Sequence, residues 1–504
     1  MTVLSLVIFL PLAAALGLAA VPRAPRRAVL AAWIGTSAVD LALVAALWIR
    51  YGTGGGAGSD GIAYEENARW IPSVGAGYHV GVDGLSMPLL ALTALLFLAC
   101  AVYSVRQEHR LRAFAVLFLF LETVCLGLFA ALDLLLFFVF FDLSIVGMYF
   151  VILLWGHGER ARSALTFFLY TFLGSLVLLL GFIGLYLGAD PHTFDMVELI
   201  RRPPLDGSPG LAALTLLAIG IGLGVKTPVV PFHTWLPPAH TDAPAAGSAV
   251  LAGIMLKMGT YGLVRIAMPM LPDAWRRYAW VPLVIGLLGV LYGALVALAQ
   301  DDLKRLVAYT SVNHMGYVVL ALGAAGFSGG TAARELAVSG AVTQMVSHGL
   351  VTGALFLLCG VLSDRAGSYA IGRYGGVARG APVFAGLTAV AAFASLGLPG
   401  LSGFVAEFQI FTGAIGAGRA GVAAAAALSV LGVLVTAGLF LRVLHRVLLG
   451  GPGELTGRVT DVRRPELAAI APLLVLSLAV GVAPRPLLDT IAPLSDAVVA
   501  LVAR

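Results

Sequence analysis

Long runs of apolar residues separated by short polar segments make up most of this sequence. A helix needs about 20 predominantly apolar residues to cross the hydrocarbon core of a bilayer. Fourteen runs reach that length, and they cover residues 1–21, 28–49, 85–105, 111–131, 133–155, 163–188, 211–232, 243–268, 280–299, 304–325, 337–362, 382–412, 420–447 and 466–486. The pattern therefore predicts an all-α polytopic membrane protein with about 14 transmembrane helices.

Two of these runs contain helix-breaking residues in their interior. In the seventh run, Pro228 and Pro231 follow Lys226, and each proline removes a backbone donor and disfavours helix at the residue before it. The twelfth run has a similar break ahead of Glu407, formed by Gly397, Pro399, Gly400 and Gly403. Irregular backbone at membrane depth is tolerated where it lies within protein or lines a wet cavity. Both runs are therefore predicted to be broken helices.

The two predicted breaks lie five runs apart, a pattern typical of an inverted repeat. The halves would be residues 111–268 and 280–447, and they would have opposite orientations because five is odd. Residues 1–110 would then form three N-terminal transmembrane helices, and residues 448–504 a C-terminal transmembrane helix and tail.

Ionisable residues lie deep inside several runs, where each charge costs about 2.5–3.5 kcal/mol to insert. At least five are present, and they are Glu122, Asp142, Lys226, Lys257 and Glu407. An ion pair that only fixes helix packing is the alternative interpretation of each one. Five deep charges in separate runs exceed what packing needs, so we interpret all five as candidate functional residues.

Three histidines lie at similar depth, namely His233, His314 and His348. A single histidine in an apolar segment is as often a packing residue as a proton relay. Histidine is, however, the side chain whose unperturbed pKa lies nearest neutrality. Together with the buried carboxylates and lysines, these histidines therefore indicate a path for protons.

Composition narrows the function further. The chain is 60% hydrophobic and only 11% charged, far from the soluble range of about 25% charged residues. Its +5 net charge comes from scattered basic residues rather than a stripe, which disfavours nucleic acid as a partner. Cys100, Cys125 and Cys359 lie in apolar runs without a Cys/His cluster, so we expect no metal site and no cofactor.

The basic residues also predict orientation. With the N-terminus outside, eighteen of the 31 lysines and arginines fall in inner loops and ten on the outer side. Cytoplasmic loops are enriched in lysine and arginine. Both termini are therefore predicted to lie outside.

Several motifs resemble one known family. They are VKTPVVPFHTWLPPAHTDAPAAGSAVLAGIMLKMGTYGLVRIAMPMLP, QDDLKRLVAYTSVNHMGYVVL, QMVSHGL and GLPGLSGFVAEF. In this order, from about residue 83 to 445, they resemble the antiporter-like subunit M of bacterial respiratory complex I, the proton-pumping NADH:quinone oxidoreductase. The resemblance implies a proton-translocating subunit of the bacterial inner membrane. It also implies that other membrane-arm subunits are its partners and that NADH and quinone bind elsewhere.

The resemblance further implies roles for individual residues. Lys226 matches the lysine of the first broken helix, Lys257 the central lysine of the next helix, and Glu407 the acidic residue of the second broken helix, taken as the exit. The three histidines match polar residues of a hydrated axis. Asp142 occupies the place of the usual glutamate, in FFDLSIVGMYF, where Gly147 replaces a proline. Asp142 and Lys226 would then form an ion pair that opens and closes.

Other functions remain open at this point. Within the same superfamily, the chain could belong to a multisubunit cation/proton antiporter or to a membrane-bound hydrogenase, although YGLVRIAMPMLPDA is more similar to subunit M. An independent secondary transporter would also suit an inverted repeat with broken helices. A purely structural scaffold is disfavoured by the deep charges.

Overall fold

The computed structural model describes residues 3–52, 61–327 and 329–503. Within these residues the chain is almost entirely helical, and fourteen helices are long and apolar enough to cross a membrane. The prediction of an all-α polytopic membrane protein with 14 such helices is confirmed.

The N-terminal part contains three long helices and a hairpin. Its elements are α1 Val3–Ala20, α2 Arg26–Gly52, β1 Ala63–Ile71, β2 Ala76–Val82 and α3 Ser86–Tyr103. The strands pair antiparallel, with Ala63 opposite Val82 and Ile71 opposite Ala76. Because β2 also bridges to Ala131, between the fourth and fifth helices, the hairpin covers one end of the bundle.

The next part runs from the fourth helix to the loop that follows the eighth crossing. Its helices are α4 Leu111–Ala130, α5 Leu134–Trp155, α6 Arg160–Gly188, α7 Met196–Arg201, α8 Pro209–Lys226, α9 Leu236–Asp242, α10 Ala245–Val250, α11 Leu256–Gly262, α12 Met268–Met270 and α13 Pro272–Tyr278. Two π-helical segments, Leu251–Met255 and Leu263–Ala267, join α10, α11 and α12 into one buried crossing.

The remaining helices are α14 Trp280–Leu298, α15 Leu303–Ala325, α16 Thr331–Ala366, α17 Pro382–Ser395, α18 Ser402–Ile415, α19 Ala420–Val443, α20 Arg464–Val482 and α21 Arg485–Ala503. A π-helical segment, Leu444–Leu448, extends α19. The crossing from α10 to α12, together with α15 and α16, is the most deeply buried part of the bundle. The core therefore sits where the crossing from α10 to α12 meets α15 and α16.

Both predicted breaks are confirmed. Helix α8 ends at Lys226 and the chain becomes helical again at Leu236. Helix α17 ends at Ser395 and α18 begins at Ser402. Between them, Gly397 and Gly400 have φ angles of +74° and +93°, a conformation that other residues rarely adopt.

The C-terminal tail differs from the prediction because residues 485–503 form a helix. The buried residues of α21 recur every three or four positions on one face, and it packs against α12, α13 and α16. Its Thr490 accepts a hydrogen bond from Trp48 at the end of α2, at 3.1 Å. Thr490 and Ile491 also lie against Gly84, just before α3, so α21 lies over the hairpin end of the bundle. The fourteen helices counted above include α21. Without α21, the broken pair α17 and α18, which covers the predicted run 382–412, completes the fourteen crossings.

Candidate functional site

Lys226 occupies the first helix break. It is the last residue of α8 and is only 1% exposed. Its Nζ donates to Ser144 Oγ at 3.0 Å and lies 4.8 Å from the centre of the Phe141 ring. Because Phe141 and Ser144 are three residues apart, both lie on the face of α5 that turns toward α8.

The ion pair predicted to open and close between Asp142 and Lys226 is open in this structure. The Lys226 ammonium is bonded to Ser144, although the two charged residues still interact electrostatically. The reason for the open pair is helical geometry: Asp142 is two residues from Ser144, and residues two apart do not share a helix face. Asp142 is half-buried and lines a groove on the outside of the chain with Phe138, Val146, Phe168 and Phe172. Its Oδ1 atom has no hydrogen-bond partner.

Lys257 lies at the centre of the bundle and is 0% exposed. Its Nζ donates to the carbonyl oxygen of Ala252 at 2.5 Å, and the π-helical segment Leu251–Met255 carries that carbonyl. Its second contact is His348 Nδ1 on α16, also at 2.5 Å. π-Helical segments occur frequently at functional sites. Here one of them helps to hold a lysine against a histidine from the other half of the chain.

From His348 the polar side chains continue toward the second break. The ring of His314 on α15 lies 5.4 Å from the His348 ring, and its Nε2 is 3.0 Å from the carbonyl oxygen of Ser395, where α17 ends. Glu407 is buried on α18, and a Cβ atom added to Gly397 would collide with its carboxylate. The structure therefore connects Lys257, both histidines and the second break.

A close helix contact brings the first break to the same region. A Cβ atom added to Gly259 on α11 would collide with Thr227 and with the Leu223 carbonyl at the end of α8. Gly259 is two residues from Lys257, and Thr227 follows Lys226. Glycine is therefore required for the two lysine-bearing helices to approach this closely.

Two further predicted residues lie away from this axis. His233, in the first break, packs its ring against Tyr292 and Tyr309, at 5.1 and 6.4 Å. Glu122 is fully buried on α4 and accepts a hydrogen bond from Ser37 on α2, at 2.7 Å. Neither residue contacts the lysines directly.

The sequence reasoning missed His240 and misplaced Lys304. His240 lies in the short helix α9, between two predicted runs, where its ring stacks on Phe356 and interacts electrostatically with Lys257 and Lys304. Lys304 is one of the eighteen basic residues that the predicted orientation assigns to the inner loops, but it is fully buried at the start of α15. Its Nζ donates to the carbonyls of Thr241 and Ala243. The carbonyl-rich C-terminal end of α9 attracts this cation. A search of loops as well as apolar runs would have found His240.

Outside the membrane-spanning helices, His79 and two carboxylates form a cluster of ion pairs at the hairpin end of the bundle. His79 on β2 is buried between Asp195, 2.6 Å from its Nδ1, and Glu65, 2.8 Å from its Nε2. Burial alone would lower the pKa of His79, but the two carboxylates outweigh burial and raise it above its ordinary value. The pKa of Asp195 is correspondingly lowered, since His79 offsets its burial.

A buried ion pair links the same end to the central helix. Arg265, on the second π-helical segment, donates to both oxygens of Asp83, at 2.7 and 2.6 Å. It also donates to Tyr261 and Ser86. In the described part of the chain, no group of three or more His, Cys, Asp or Glu residues could hold a metal ion.

A family model and two relatives each match more than half of this chain. Residues 131–435 match the family model described as NADH:quinone oxidoreductase/Mrp antiporter, transmembrane. NADH-quinone oxidoreductase subunit M of Rhodobacter capsulatus is 37% identical, over 97% of this chain and 95% of that protein. F(420)H(2) dehydrogenase subunit M of Methanosarcina mazei is 39% identical, over 87% and 88%.

A solved structure extends this similarity to the whole fold. A chain of respiratory complex I from Thermus thermophilus with bound NADH superposes with a TM-score of 0.87, at 31% identity and over 99% of both chains. The family model alone covers more than half of the sequence. This chain is therefore a multi-pass membrane protein that belongs to the NADH:quinone oxidoreductase/Mrp antiporter family.

Proposed function

We propose that this chain is a proton-translocating membrane-arm subunit of a bacterial NADH:quinone oxidoreductase. Protons would cross along Lys226, Lys257, His348, His314 and Glu407, while other subunits bind NADH and quinone. The chain itself would conduct protons and carry out no redox chemistry. The relatives named subunit M support the assembly.

The contact between Lys257 and His348 is the observation that carries the proposal. It joins a helix of the first half to a helix of the second half at 2.5 Å, at full burial. A fully buried lysine is costly, so its presence in the core points to a role beyond packing. Neither of its two contacts is a carboxylate, so Lys257 is held as a group that can give up its proton.

The open arrangement of Asp142 and Lys226 supports the proposed switch. In this arrangement Lys226 donates to a neutral hydroxyl, and Asp142 faces the outside of the chain. A rotation of either side chain that brings the two charges together would favour the charged lysine. Because Asp142 lies on the outer groove, the change could be imposed by a neighbouring membrane-arm subunit.

We propose that both termini lie outside the cell membrane. The hairpin, α7, α13 and α21 would then share the outer side, while the loop before α17 would be inside. Reporter fusions after residues 108 and 158 should report the inner side, and a fusion after residue 75 the outer side. The reverse pattern would contradict the orientation.

The function is tested in the assembled complex. Lys257→Ala and Glu407→Ala should each lower quinone-coupled proton pumping, because each removes a group from the path. Electron transfer from NADH to an artificial acceptor should remain, since that reaction needs no membrane arm. Glu454→Gln is the matched control, because Glu454 is an exposed carboxylate paired with Arg373. Normal pumping in both alanine variants would contradict the proposal.

The partners are tested by purification. A tag on this chain should recover flavin, iron–sulfur and quinone-binding subunits from native membranes. Recovery of small membrane subunits alone would favour the antiporter interpretation instead.

A further inference from the structure

A second set of buried ionisable groups lies between α2 and α4. Asp40 on α2 and Glu122 on α4 are both 0% exposed. Ser37 Oγ donates to Glu122 Oε2 at 2.7 Å, and Asp40 follows Ser37 by three residues on the same helix face. The two carboxyl groups therefore face the same interior space and interact electrostatically.

Most of the polar atoms in this space have no protein partner. Both oxygens of Asp40 and Oε1 of Glu122 lack hydrogen bonds to any described residue. An independent polar group, the indole Nε1 of Trp33, is also buried and unpartnered. Trp33 precedes Ser37 by four residues and packs on Phe118, one turn before Glu122, so it borders the same space. A structural pair would satisfy such atoms, since unsatisfied buried polar groups are costly.

The chemistry of two facing carboxyls identifies the ligand. Two buried carboxylates cannot both carry charge in a low-dielectric interior without a cation between them. Among the other helices packed on this pair, α1 has no ionisable residue, α3 has Cys100 and Tyr103, and α5 has Asp142 and Tyr149. Helix α11 carries Lys257 but meets α4 at Phe129, about two turns beyond Glu122. None of these helices places a positive charge between the two carboxyls. The pair must therefore retain at least one proton.

The space also lies beside the first helix break. Cys125 follows Glu122 by three residues on α4, is fully buried, and interacts electrostatically with both Glu122 and Lys226. The carboxyl pair and Lys226 therefore both lie within electrostatic reach of the Cys125 thiol. A change of charge at one position acts on the other through space, and the effect weakens with distance.

We propose that Asp40 and Glu122 form a proton-binding site on the N-terminal helices, which stores a proton beside Lys226. The site lies off the path from Lys257 to Glu407 and adds a branch to it. The storage role rests on the proposed function, whereas proton binding itself does not. Ser37 orients the Glu122 carboxyl, and the Cys125 thiol interacts electrostatically with both Glu122 and Lys226.

The experiment is infrared spectroscopy of the assembled complex during a pH titration. The wild type should keep a carboxylic-acid C=O band at alkaline pH, and the double variant Asp40→Asn/Glu122→Gln should lose that band. The variant should also bind about one proton fewer per complex over the same titration. Asp489→Asn, at an exposed carboxylate, is the matched control and should leave both readings unchanged.

A milder variant protects the test against a failure to fold. Ser37→Ala keeps both carboxyls but removes the hydroxyl that contacts Glu122, so it should move the pH at which the band disappears. An unchanged band in the double variant would overturn the proposal. So would a titration that depends on sodium concentration, because it would indicate a bound cation. If the double variant loses the band but pumps normally, proton binding by Asp40 and Glu122 is supported and only the storage role is contradicted.

Discussion

Replacement of Lys257 by arginine separates a proton relay from a structural cation. Arginine keeps the positive charge but is effectively never deprotonated in proteins. A relay must release its proton in every cycle, whereas a structural cation only has to remain charged. Lys257→Arg should therefore block pumping about as strongly as Lys257→Met if Lys257 is a relay.

Arginine would fit the site of Lys257 poorly, and its higher reference pKa sets the size of the expected loss of pumping. Lys257 has only the Ala252 carbonyl and His348 Nδ1 as acceptors, so the five N–H donors of arginine would mostly lack partners. The reference pKa of arginine exceeds that of lysine by about 2–3.4 units, or about 3–5 kcal/mol. Release of the proton to His348 should therefore slow by roughly a hundredfold to a thousandfold.

The assay is quinone-coupled proton uptake into inverted membrane vesicles. Assembly is checked on native gels, and reduction of an artificial acceptor by NADH reports the intact electron input. Arg373→Lys, at an exposed ion pair, is the control for a change between the two basic residues. Near-normal pumping in Lys257→Arg together with a strong loss in Lys257→Met would refute the relay.

Three other changes test separate parts of the structure. Asp142→Asn should strongly reduce proton pumping, whereas Asp142→Glu should be tolerated, because only the amide removes the charge. The opposite ranking in pumping assays would indicate that Asp142 only supports packing. Loss of one partner of the buried Arg265 pair in Asp83→Asn should destabilise the chain by about 3–5 kcal/mol, measured by denaturation of the purified complex; an unchanged midpoint would contradict that value. The pKa of His79 is raised above its ordinary value by Asp195 and Glu65. The ion pair of His79 with Asp195 therefore stabilises the hairpin fully below about pH 6.5, and this stabilisation is lost as pH rises through the raised pKa. Hydrogen exchange in residues 63–82, corrected for intrinsic rates, should therefore increase at alkaline pH, and His79→Gln should remove this dependence.

The sequence predicted which residues lie inside membrane-crossing helices better than it predicted which side of each helix they face. Pro228 and Pro231 act on the backbone itself, so the end of α8 at Lys226 could be predicted from the chain alone. Asp142 and Lys226 both lie in helices that the sequence predicts to cross the membrane. The pair is open in this structure because Ser144, and not Asp142, occupies the face of α5 that meets Lys226.

Other differences arose where the hydrophobic pattern was weak or ambiguous. Helix α21 is apolar on only one face, so its sequence resembled a tail more than a crossing. Asp40 lies inside the second predicted run but was not singled out, because nothing in α2 indicates that it faces Glu122. His240 was missed since it falls between two runs. Contacts between distant parts of the chain decide all three cases.

The contact between Lys257 and His348 has a consequence for biosynthesis. The two residues are 91 positions apart, so the first half enters the membrane well before its partner residue has been synthesised. Until α16 is inserted, Lys257 lacks the histidine that follows it in the proposed path. On that path, a ribosome-bound, half-inserted chain would not leak protons and dissipate the membrane potential. The proposed path would become continuous only when the second half docks onto the first.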